Sequence, residues 1–578
     1  MRAIHAAAHG AVVAEVEGVE GSEVESHVGT TDGDADVDAA DFDARSSSNG
    51  GDDRGLFRIY AGRLFDPDSL ALLANQLIAV SPSSGLVISV RPFDPARVPF
   101  GPDAKPGPSE DPRAIDLRRC TVLPGFVDAH VHLFLRPYSE VSWDDQLTRE
   151  SLVERALRAG VHAKRTLLAG FTTVRYAEPR PPTPGTGCEH PADINERRAG
   201  FHFWNRDLGT EGAADADIAL RKCLSGPDPL IPGPRYFCAN RAIVSTGSYG
   251  PKSSLYVNRE GIDGVTGAEA ADGVAECVKA VRRQVGAGAD WIKIYADYRF
   301  RSRIVDSAPL LAKASVPLFT AVETRAMIET AHSLGVKVAA HATNKATVET
   351  LLTQGIDSIE HGYDLSSGIA PELLRRTSQK SDNGTAVWVP TLAAYYTLAQ
   401  NQGDHAVWTR AANSFRAALK AGIDIIACGG DTGVFAHGDN ALEMQLMVRL
   451  GADWRRVLRW ATLGGWHCVR SMAWEGDAGK ERMNKVAGLG EDPRVVGDNE
   501  VPFGLIKRGW AADLIATSGD LENAFEYAVA KNSIVFVMKG GGCTSKAGKK
   551  CLCLEFSGRP CISTLWSSLP VLDILSLE

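Results

Sequence analysis

Residues 121–475 alternate between short apolar runs and longer stretches with a helical repeat. SLVERALRAGVHAKRTLLAG and AEAADGVAECVKAVRRQVGAGA repeat apolar residues at three- and four-residue spacing, which predicts amphipathic helices. Apolar or β-branched runs predict eight strands, at residues 121–133, 170–175, 235–244, 290–298, 336–342, 356–362, 386–395 and 423–431. Because most of these strands are separated by helices, the pattern indicates an α/β fold with a parallel (β/α)8 TIM-like barrel.

Shorter β-type runs flank the barrel region on both sides. LFRIYAGRLFD and GLVISVRPF lie before it, and DNEVPFGLIKRGWAADLIATSG and SIVFVMKGG lie after it. We expect the later runs to join the earlier ones in one small domain. The barrel, residues 121–475, is then inserted in a small split β-sandwich domain whose two parts are residues 56–120 and 476–545.

Three further segments do not fit this alternation. Residues 1–55 are rich in Asp, Gly, Ser and Glu and are predicted to be a disordered acidic segment, and residues 546–578 an irregular tail. The Pro-rich residues 176–206 directly follow the strand GFTTVR and separate it from a loop and helix that would continue the pattern. We interpret them as an insertion, with a translated intron as one origin and a long active-site loop as the alternative.

Composition and charge exclude several classes of protein. The net charge of −9 arises in residues 1–55, and the rest of the chain shows no basic patch of the kind that binds nucleic acid. No stretch approaches the ~20 apolar residues needed to span a membrane. The 11 cysteines are scattered and lack paired metal-ligand spacing. We therefore expect a cytoplasmic protein with free thiols that binds neither nucleic acid nor membranes.

Several predicted strands end in polar residues, although strands buried on both faces are usually apolar. These residues are His130 and His132 on the first strand, Lys293 on the fourth, His341 on the fifth, His361 on the sixth and Asp431 on the eighth. Singly, each has an ordinary explanation, such as a hydrogen-bonded core histidine or a turn-forming aspartate. Together they would meet at the C-terminal end of one barrel, where burying unpaired charge is costly unless the groups share a cation.

The spacing of the first pair supports a metal site. His130 and His132 are two residues apart on a strand, so both imidazoles face the same side and can reach one metal ion. Imidazole and carboxylate ligands suit zinc, with manganese and iron as alternatives. Lys293 is the unusual member of the set, because a protonated lysine is a poor metal ligand.

A set of motifs in the barrel region is similar to those of the amidohydrolase superfamily. The motifs are PGFVDAHVHL, GADWIKIYAD, HATN, SIEHG, GGDTGVFAHGDN and ATLGGW. They resemble the imidazolonepropionase-like branch, which includes metal-dependent dipeptidases and ochratoxin-degrading amidases. The resemblance implies two divalent metal ions, expected to be zinc, and an N6-carboxylated Lys293 that bridges them together with a hydroxide. It implies that one metal is held by His130, His132 and Asp431, and the other by His341 and His361.

The resemblance also implies a reaction and a substrate class. The bridging hydroxide would attack the amide carbonyl of a dipeptide, an N-acyl amino acid or a similar small carboxylate-bearing substrate, with Asp431 as the proton shuttle. Tyr295, two residues after Lys293, is a candidate for binding the substrate carboxylate or the developing oxyanion. His437, just after the eighth strand, is a further candidate for contacting the substrate. A homo-oligomer is an open expectation for the assembly.

Two departures from the family pattern bear on the substrate, and two alternative functions stay open. The segment 207–209, Asp-Leu-Gly, is displaced by the predicted insertion, and Tyr249 stands where many relatives carry histidine. A cyclic amidohydrolase that opens an imidazolone- or hydantoin-like ring is the alternative enzyme, although Lys293 favours two metals and an acyclic amide. A catalytically inactive scaffold of the same fold is the third interpretation, against which the six intact ligand positions argue.

Overall fold

The structure of the chain is a computed structural model. It describes residues 55–101, 107–108, 111, 113–176, 215–226, 229–248, 268–298, 315–363, 386–403, 405–488 and 498–545. Four groups of residues discussed above lie outside this part of the chain: the acidic segment apart from its last residue, the predicted insertion apart from its first residue, the departures at 207–209 and Tyr249, and the tail at 546–578.

The chain first forms five strands of the small domain. They are β1 (Phe57–Asp66), β2 (Ala71–Val80), β3 (Val87–Pro92), β4 (Gly107–Pro108) and β5 (Ala114–Pro124). Strand β1 pairs antiparallel with β2 and parallel with β5. Alternate residues of β1, such as Phe57, Ile59 and Ala61, are buried in one apolar cluster with residues of β2 and β5, which explains the period-two pattern of this stretch.

The central region then supplies the barrel strands and three short accessory strands. In chain order these are β6 (Phe126–Val131), β7 (Phe171–Tyr176), β8 (Arg235–Phe237), β9 (Ala242–Val244), β10 (Ala268–Ala270), β11 (Trp291–Tyr295), β12 (Asp297–Tyr298), β13 (Val316–Pro317), β14 (Lys337–Ala342), β15 (Ser358–His361) and β16 (Val387–Val389). Strands β6, β7 and β8 form one parallel sheet, and β9, β11, β14, β15 and β16 form another, with β10 at its edge. Strands β8 and β9 are the two halves of the third barrel position.

Hydrogen bonds outside the regular strands close these sheets into a ring. The Cys238 carbonyl, between β8 and β9, accepts from Trp291 N of β11 at 3.2 Å. The predicted eighth strand forms no regular ladder among the described residues, but isolated parallel bridges join Ile426 to Trp388 and Thr432 to Val131. The eighth position thus lies between the seventh and the first, in the order that a (β/α)8 barrel requires.

Helices cover the barrel and connect its strands. They are α1 (Trp143–Arg149), α2 (Leu152–Leu168), α3 (Ala216–Leu224), α4 (Gly273–Ala287), α5 (Ala321–Ser333), α6 (Lys345–Thr353), α7 (Leu392–Gln402), α8 (Ala406–Lys420), α9 (Leu442–Arg449), α10 (Trp454–Trp460), α11 (Leu463–Val469) and α12 (Gly476–Ala487). Helix α5 begins with a capping box, in which Thr320 and Glu323 satisfy each other's backbone N–H groups. None of the described helices is both long enough and apolar enough to cross a membrane.

The chain finally returns to the small domain. After a 3-10 turn at Asp498–Glu500 it forms β17 (Leu514–Thr517), the short helix α13 (Phe525–Ala528), β18 (Ile534–Lys539) and β19 (Gly542–Ser545). Strand β17 pairs antiparallel with β5, so the strand order β19-β18-β17-β5-β1-β2-β3, with β4 also on β5, joins both parts in one hydrogen-bonded sheet. This confirms that the barrel is inserted in a split β domain. A buried ion pair, with Arg235 Nε 2.8 Å from Asp513 Oδ2, joins barrel strand β8 to the segment just before β17 of the small domain.

Candidate metal centre

The barrel brings the predicted polar residues to one end. Five of them lie near or just after the C-terminal ends of their barrel positions, and the sixth, Lys293, lies in the middle of β11; the five are His130, His132, His341, His361 and Asp431. Each is at most 1% exposed. Parallel strands end at the same side of a barrel, and this is why residues up to 301 positions apart, such as His130 and Asp431, meet.

Two imidazoles and one carboxylate form the tightest group. His132 Nε2 lies 3.0 Å from Asp431 Oδ1, and His130 Nε2 lies 3.8 Å from the same oxygen. One ligand atom of each residue lies within 4.8 Å of the other two. Burial lowers the pKa of His130 to about 4 and holds the pKa of His132 well below its usual value. Both imidazoles are therefore neutral at neutral pH and keep a lone pair, so this donor set fits a divalent cation.

The other two histidines continue the group along the barrel end. The ring of His361 lies with its centroid 5.1 Å from that of His130 and 4.6 Å from that of His341. Lys293 lies on the strand beside that of His341, two residue pairs before it in the β11–β14 register. Burial is the largest cause that lowers the pKa of His341, and the positive charge of Lys293 is the next largest. The same charge also lowers the pKa of His130. The structure thus places all six predicted residues in one buried cluster.

Glu360 is a buried carboxylate that was not predicted from the sequence, and it contacts this cluster through His130. Glu360 Oε2 lies 2.7 Å from His130 Nδ1, and Glu360 Oε1 accepts from Arg175 Nη2 at 2.5 Å and Ser358 Oγ at 2.6 Å. Burial opposes ionisation, but the Arg175 guanidinium and His130 hold the pKa of Glu360 below its usual value. An ionised Glu360 binds the Nδ1–H of His130 and so leaves the Nε2 lone pair directed towards Asp431.

A second support orients His361. Its Nδ1 lies 2.8 Å from Thr391 Oγ1, and its carbonyl accepts from Trp388 Nε1 at 3.0 Å. Thr391 has a φ of 52° and directly precedes helix α7, whose Ala393 N donates to the buried Glu443 carboxylate at 2.7 Å. Burial raises the pKa of Glu443 to about 8.

The sequence contains a signal for Glu360, because this residue directly precedes His361 in the motif SIEHG. It contains no such signal for Glu443, which lies in an ordinary amphipathic helix pattern.

The two predicted substrate-contact residues are both buried. The Tyr295 ring lies beside His341, with centroids 5.9 Å apart, and beside Tyr298 at 6.1 Å. His437 Nε2 lies 2.8 Å from the Leu135 carbonyl oxygen, and the ring stacks on His162 with centroids 4.2 Å apart. This backbone partner places His437 under the loop that follows β6. The roles of Tyr295 and His437 towards a substrate stay predictions.

Comparison with known proteins agrees with this geometry. The family described as the amidohydrolase family matches residues 121–471, which is more than half of the chain. The chain belongs to the amidohydrolase family. Members of this family are typically metal-dependent, and the buried group of His130, His132 and Asp431 is consistent with that property.

Individual relatives of this amidohydrolase are more distant. Uncharacterised proteins of Mycobacterium bovis and Mycobacterium tuberculosis are 30% identical over 214 residues, which are 35% of this chain and 51% of each relative. Ochratoxinase of Aspergillus niger is 25% identical over 336 residues, or 54% of this chain and 61% of that protein. The matched part therefore spans about half to three-fifths of these curated relatives.

Solved structures match over a larger share of the chain. The crystal structure of a Xaa-Pro dipeptidase with bound methionine has a TM-score of 0.60 at 24% identity, and the match covers 85% of this chain and 99% of that one. At this identity the likeness establishes the fold alone. It agrees with a barrel inserted in a split β domain.

Proposed function

We propose that this amidohydrolase is a metal-dependent hydrolase that cleaves acyclic amide C–N bonds in dipeptides, N-acyl amino acids or similar carboxylate-bearing substrates. The observation that carries the proposal is the buried convergence of four imidazoles, one lysine and one carboxylate at the C-terminal end of the barrel. A structural role would scatter such residues or pair them with counter-charges at the periphery, whereas neutral imidazoles around a carboxylate suit a cation.

We assign the ligands as follows. His130, His132 and Asp431 hold one divalent ion, and their mutual distances support this group directly. His341 and His361 hold the second ion, with zinc as the expected metal at both positions. Lys293 would complete the ligand set after its neutral amine has added carbon dioxide, because the resulting carbamate supplies anionic oxygen donors that a protonated amine lacks.

The residues of the chain then divide the chemistry between them. Bound divalent ions would supply a water molecule of lowered pKa and would polarise the substrate carbonyl. Asp431 accepts a proton from water at its carboxylate and returns it to the leaving nitrogen, which makes this residue both ligand and general base and acid. Glu360 keeps His130 in the tautomer whose Nε2 faces the site, through the 2.7 Å contact at Nδ1. Tyr295 would bind the substrate carboxylate or the oxyanion, and the contact of its ring with His341, with centroids 5.9 Å apart, supports this role.

The comparisons support the substrate class. One curated relative bears the name ochratoxinase, and one structural neighbour is a Xaa-Pro dipeptidase. Lys293 favours two metals and an acyclic amide over the ring-opening alternative, because imidazolone-type enzymes tend to use one metal and no carboxylated lysine.

A substrate screen with metal analysis tests the proposal. The full chain is loaded with zinc, its metal content is measured, and dipeptides, N-acyl amino acids and hydantoin are incubated with it and followed by mass spectrometry. We expect about two metals per chain, release of amino acids from acyclic amides, and no turnover by Asp431→Asn, which keeps an oxygen donor but loses the proton shuttle. Ring opening of hydantoin alone, or one metal per chain, would favour the cyclic amidohydrolase. Two bound metals without turnover of any amide would contradict the proposal.

A further inference from the structure

The eighth barrel position carries Asp431 without the usual support of a strand ladder. Among the described residues, isolated bridges and single backbone hydrogen bonds, such as His132 N to the Thr432 carbonyl at 2.7 Å, connect this position to its neighbours. Asp431 itself has a φ of 61°, in the left-handed region that side chains other than glycine rarely adopt. Its N–H donates to the His130 carbonyl at 2.8 Å, which is one link to the first barrel strand. Further contacts are needed to hold such a strained residue in place.

Asp128, two residues before His130, makes those contacts. Its side chain is 1% exposed and does not belong to the metal cluster. Asp128 Oδ1 accepts from His130 N at 3.0 Å and from Gly430 N at 3.1 Å. Asp128 Oδ2 accepts from Thr432 Oγ1 at 3.2 Å and from Asn440 Nδ2 at 2.8 Å. One carboxylate thus binds the residue before Asp431, the residue after it, and the backbone of His130.

The surrounding residues make this arrangement compact. The Asn440 amide donates to Thr432 Oγ1 at 3.0 Å and accepts from Gly438 N at 3.0 Å, so its own orientation is fixed. Gly429 passes so close to the first strand that a Cβ at this position would lie 2.8 Å from the Cβ of His130. The backbone of the eighth position is therefore packed closely against the first strand, and the Asp128 carboxylate adds side-chain hydrogen bonds to the backbone hydrogen bonds that join them.

We propose that Asp128 is a positioning residue that, with Asn440, sets the place of Asp431 relative to His130 and His132. It acts through hydrogen bonds to the segments on both sides of Asp431 and touches neither metal nor substrate. This inference rests on the proposed function, because it treats His130, His132 and Asp431 as ligands of one metal ion. It also accounts for a buried polar residue of the first strand that the ligand set leaves unexplained.

Cobalt binding by the full chain tests this proposal independently of turnover. The metal-free protein is titrated with Co²⁺, and the visible absorption spectrum reports both affinity and coordination geometry. In Asp128→Asn the new amide N–H group faces the Asn440 amide N–H group, so one hydrogen bond is replaced by two opposed donors. We expect Co²⁺ affinity to fall about 10- to 100-fold, as for other residues that orient metal ligands, with an altered spectrum.

A reciprocal exchange separates positioning from general loss of stability. In Asp128→Asn/Asn440→Asp the donor and acceptor change places, the amide oxygen introduced by Asp128→Asn still accepts from His130 and Gly430, and the hydrogen bond is restored. We expect this double variant to recover most of the affinity and the spectrum of the unmodified protein. The matched control is Asp513→Asn, which removes a buried carboxylate of the small domain that pairs with Arg235. It should lower the melting temperature and leave the Co²⁺ spectrum unchanged.

The outcomes distinguish the two proposals. If the unmodified protein binds no Co²⁺, the proposed metal centre itself is wrong. If it binds Co²⁺ and Asp128→Asn binds with the same affinity and spectrum, the positioning role is overturned. If Asp128→Asn does not fold, Thr432→Val decides, because it removes only the hydroxyl that donates to Asp128. Weaker Co²⁺ binding by Thr432→Val supports the role, and unchanged binding overturns it.

Discussion

Substitution of Glu360 by glutamine should weaken both the fold and the metal centre. Glu360 is 0% exposed, and its carboxylate is the counter-charge of the Arg175 guanidinium, which is itself 2% exposed. Glutamine keeps the shape of the side chain but leaves that guanidinium buried without a partner of opposite charge. Breaking a buried pair by removing one partner costs about 3 to 5 kcal/mol.

The structure places the effect at the lower end of that range. Arg175 keeps hydrogen bonds to the Ala129 carbonyl at 2.8 Å and to Ser358 Oγ at 2.9 Å, and it packs over the Trp291 ring at 4.6 Å. These contacts still solvate part of the charge. We therefore expect Glu360→Gln to lower the free energy of unfolding of the metal-free protein by about 3 kcal/mol. The metal affinity should fall about 10- to 100-fold, because His130 Nδ1 loses its ionised acceptor.

Urea unfolding of the metal-free protein measures the first quantity, and Zn²⁺ competition with a chelator measures the second. The matched control is Glu526→Gln, which removes the same charge from an ion pair with Arg449 in which both side chains are 43% exposed. This control should change stability by about 0 to 1 kcal/mol and leave metal affinity unchanged. A loss below about 1 kcal/mol for Glu360→Gln, with unchanged metal affinity, would refute the assignment of Glu360 as the buried anchor of the site.

Three further predictions concern the lysine, a histidine and a glycine. Lys293→Ala should abolish amide hydrolysis, and adding a short carboxylic acid should restore part of it. The control is Lys337→Ala, which removes a buried lysine that pairs with Glu475, and its activity should not increase when the acid is added in the same assay. The contact with Asp357 raises the pKa of His332, so its stabilisation is present below a pH of about 6.5 and is lost as pH rises through the raised pKa. Urea unfolding at stepped pH should show this fall of about 1 kcal/mol, and His332→Gln should lack it. Gly429→Ala should lower the free energy of unfolding by about 1 to 3 kcal/mol by urea unfolding, because a Cβ there would lie 2.4 Å from a side-chain carbon of the seventh strand.

The sequence predicts the barrel and the place of its polar residues because both follow from periodicity. The run that contains His130 is apolar and of strand length, and β6 is found within it at Phe126–Val131. The predicted strand 386–395 is wrong beyond Val389, because Pro390 has no N–H group for the ladder and Thr391 turns the chain at a φ of 52°. Helix α7 follows at once. An apolar run of ten residues does not by itself distinguish a strand from a strand followed by a buried helix.

Partners of buried polar residues are harder to predict than the residues themselves. Glu360 and Arg175 lie 185 positions apart, and Asp128 and Asn440 lie 312 positions apart. No local pattern connects such pairs, because they meet only when the barrel closes. Asp128 lies two residues before His130, so it faces the same side of the strand, but its choice of partner depends on the positions of the eighth strand and of the loop that follows it. The sequence therefore shows where polar groups enter the core, and the tertiary fold decides which of them bind each other.

The same burial that makes these polar residues conspicuous also prepares the site for a cation. A charged imidazolium at this depth would be costly, and burial accordingly favours the neutral form of His130, His132 and His341. Neutral imidazoles need only one partner for the N–H group and can present the other nitrogen to a metal. Glu360 accepts the hydrogen bond from the N–H group of His130. Asp128 holds the segment around Asp431 so that the carboxylate of Asp431 and the Nε2 atom of His130 can bind the same metal ion. The Glu360 carboxylate thus sets the tautomer of His130, and the Asp128 carboxylate sets the position of Asp431. The ends of the barrel strands bring these ligands close enough together to bind a metal ion.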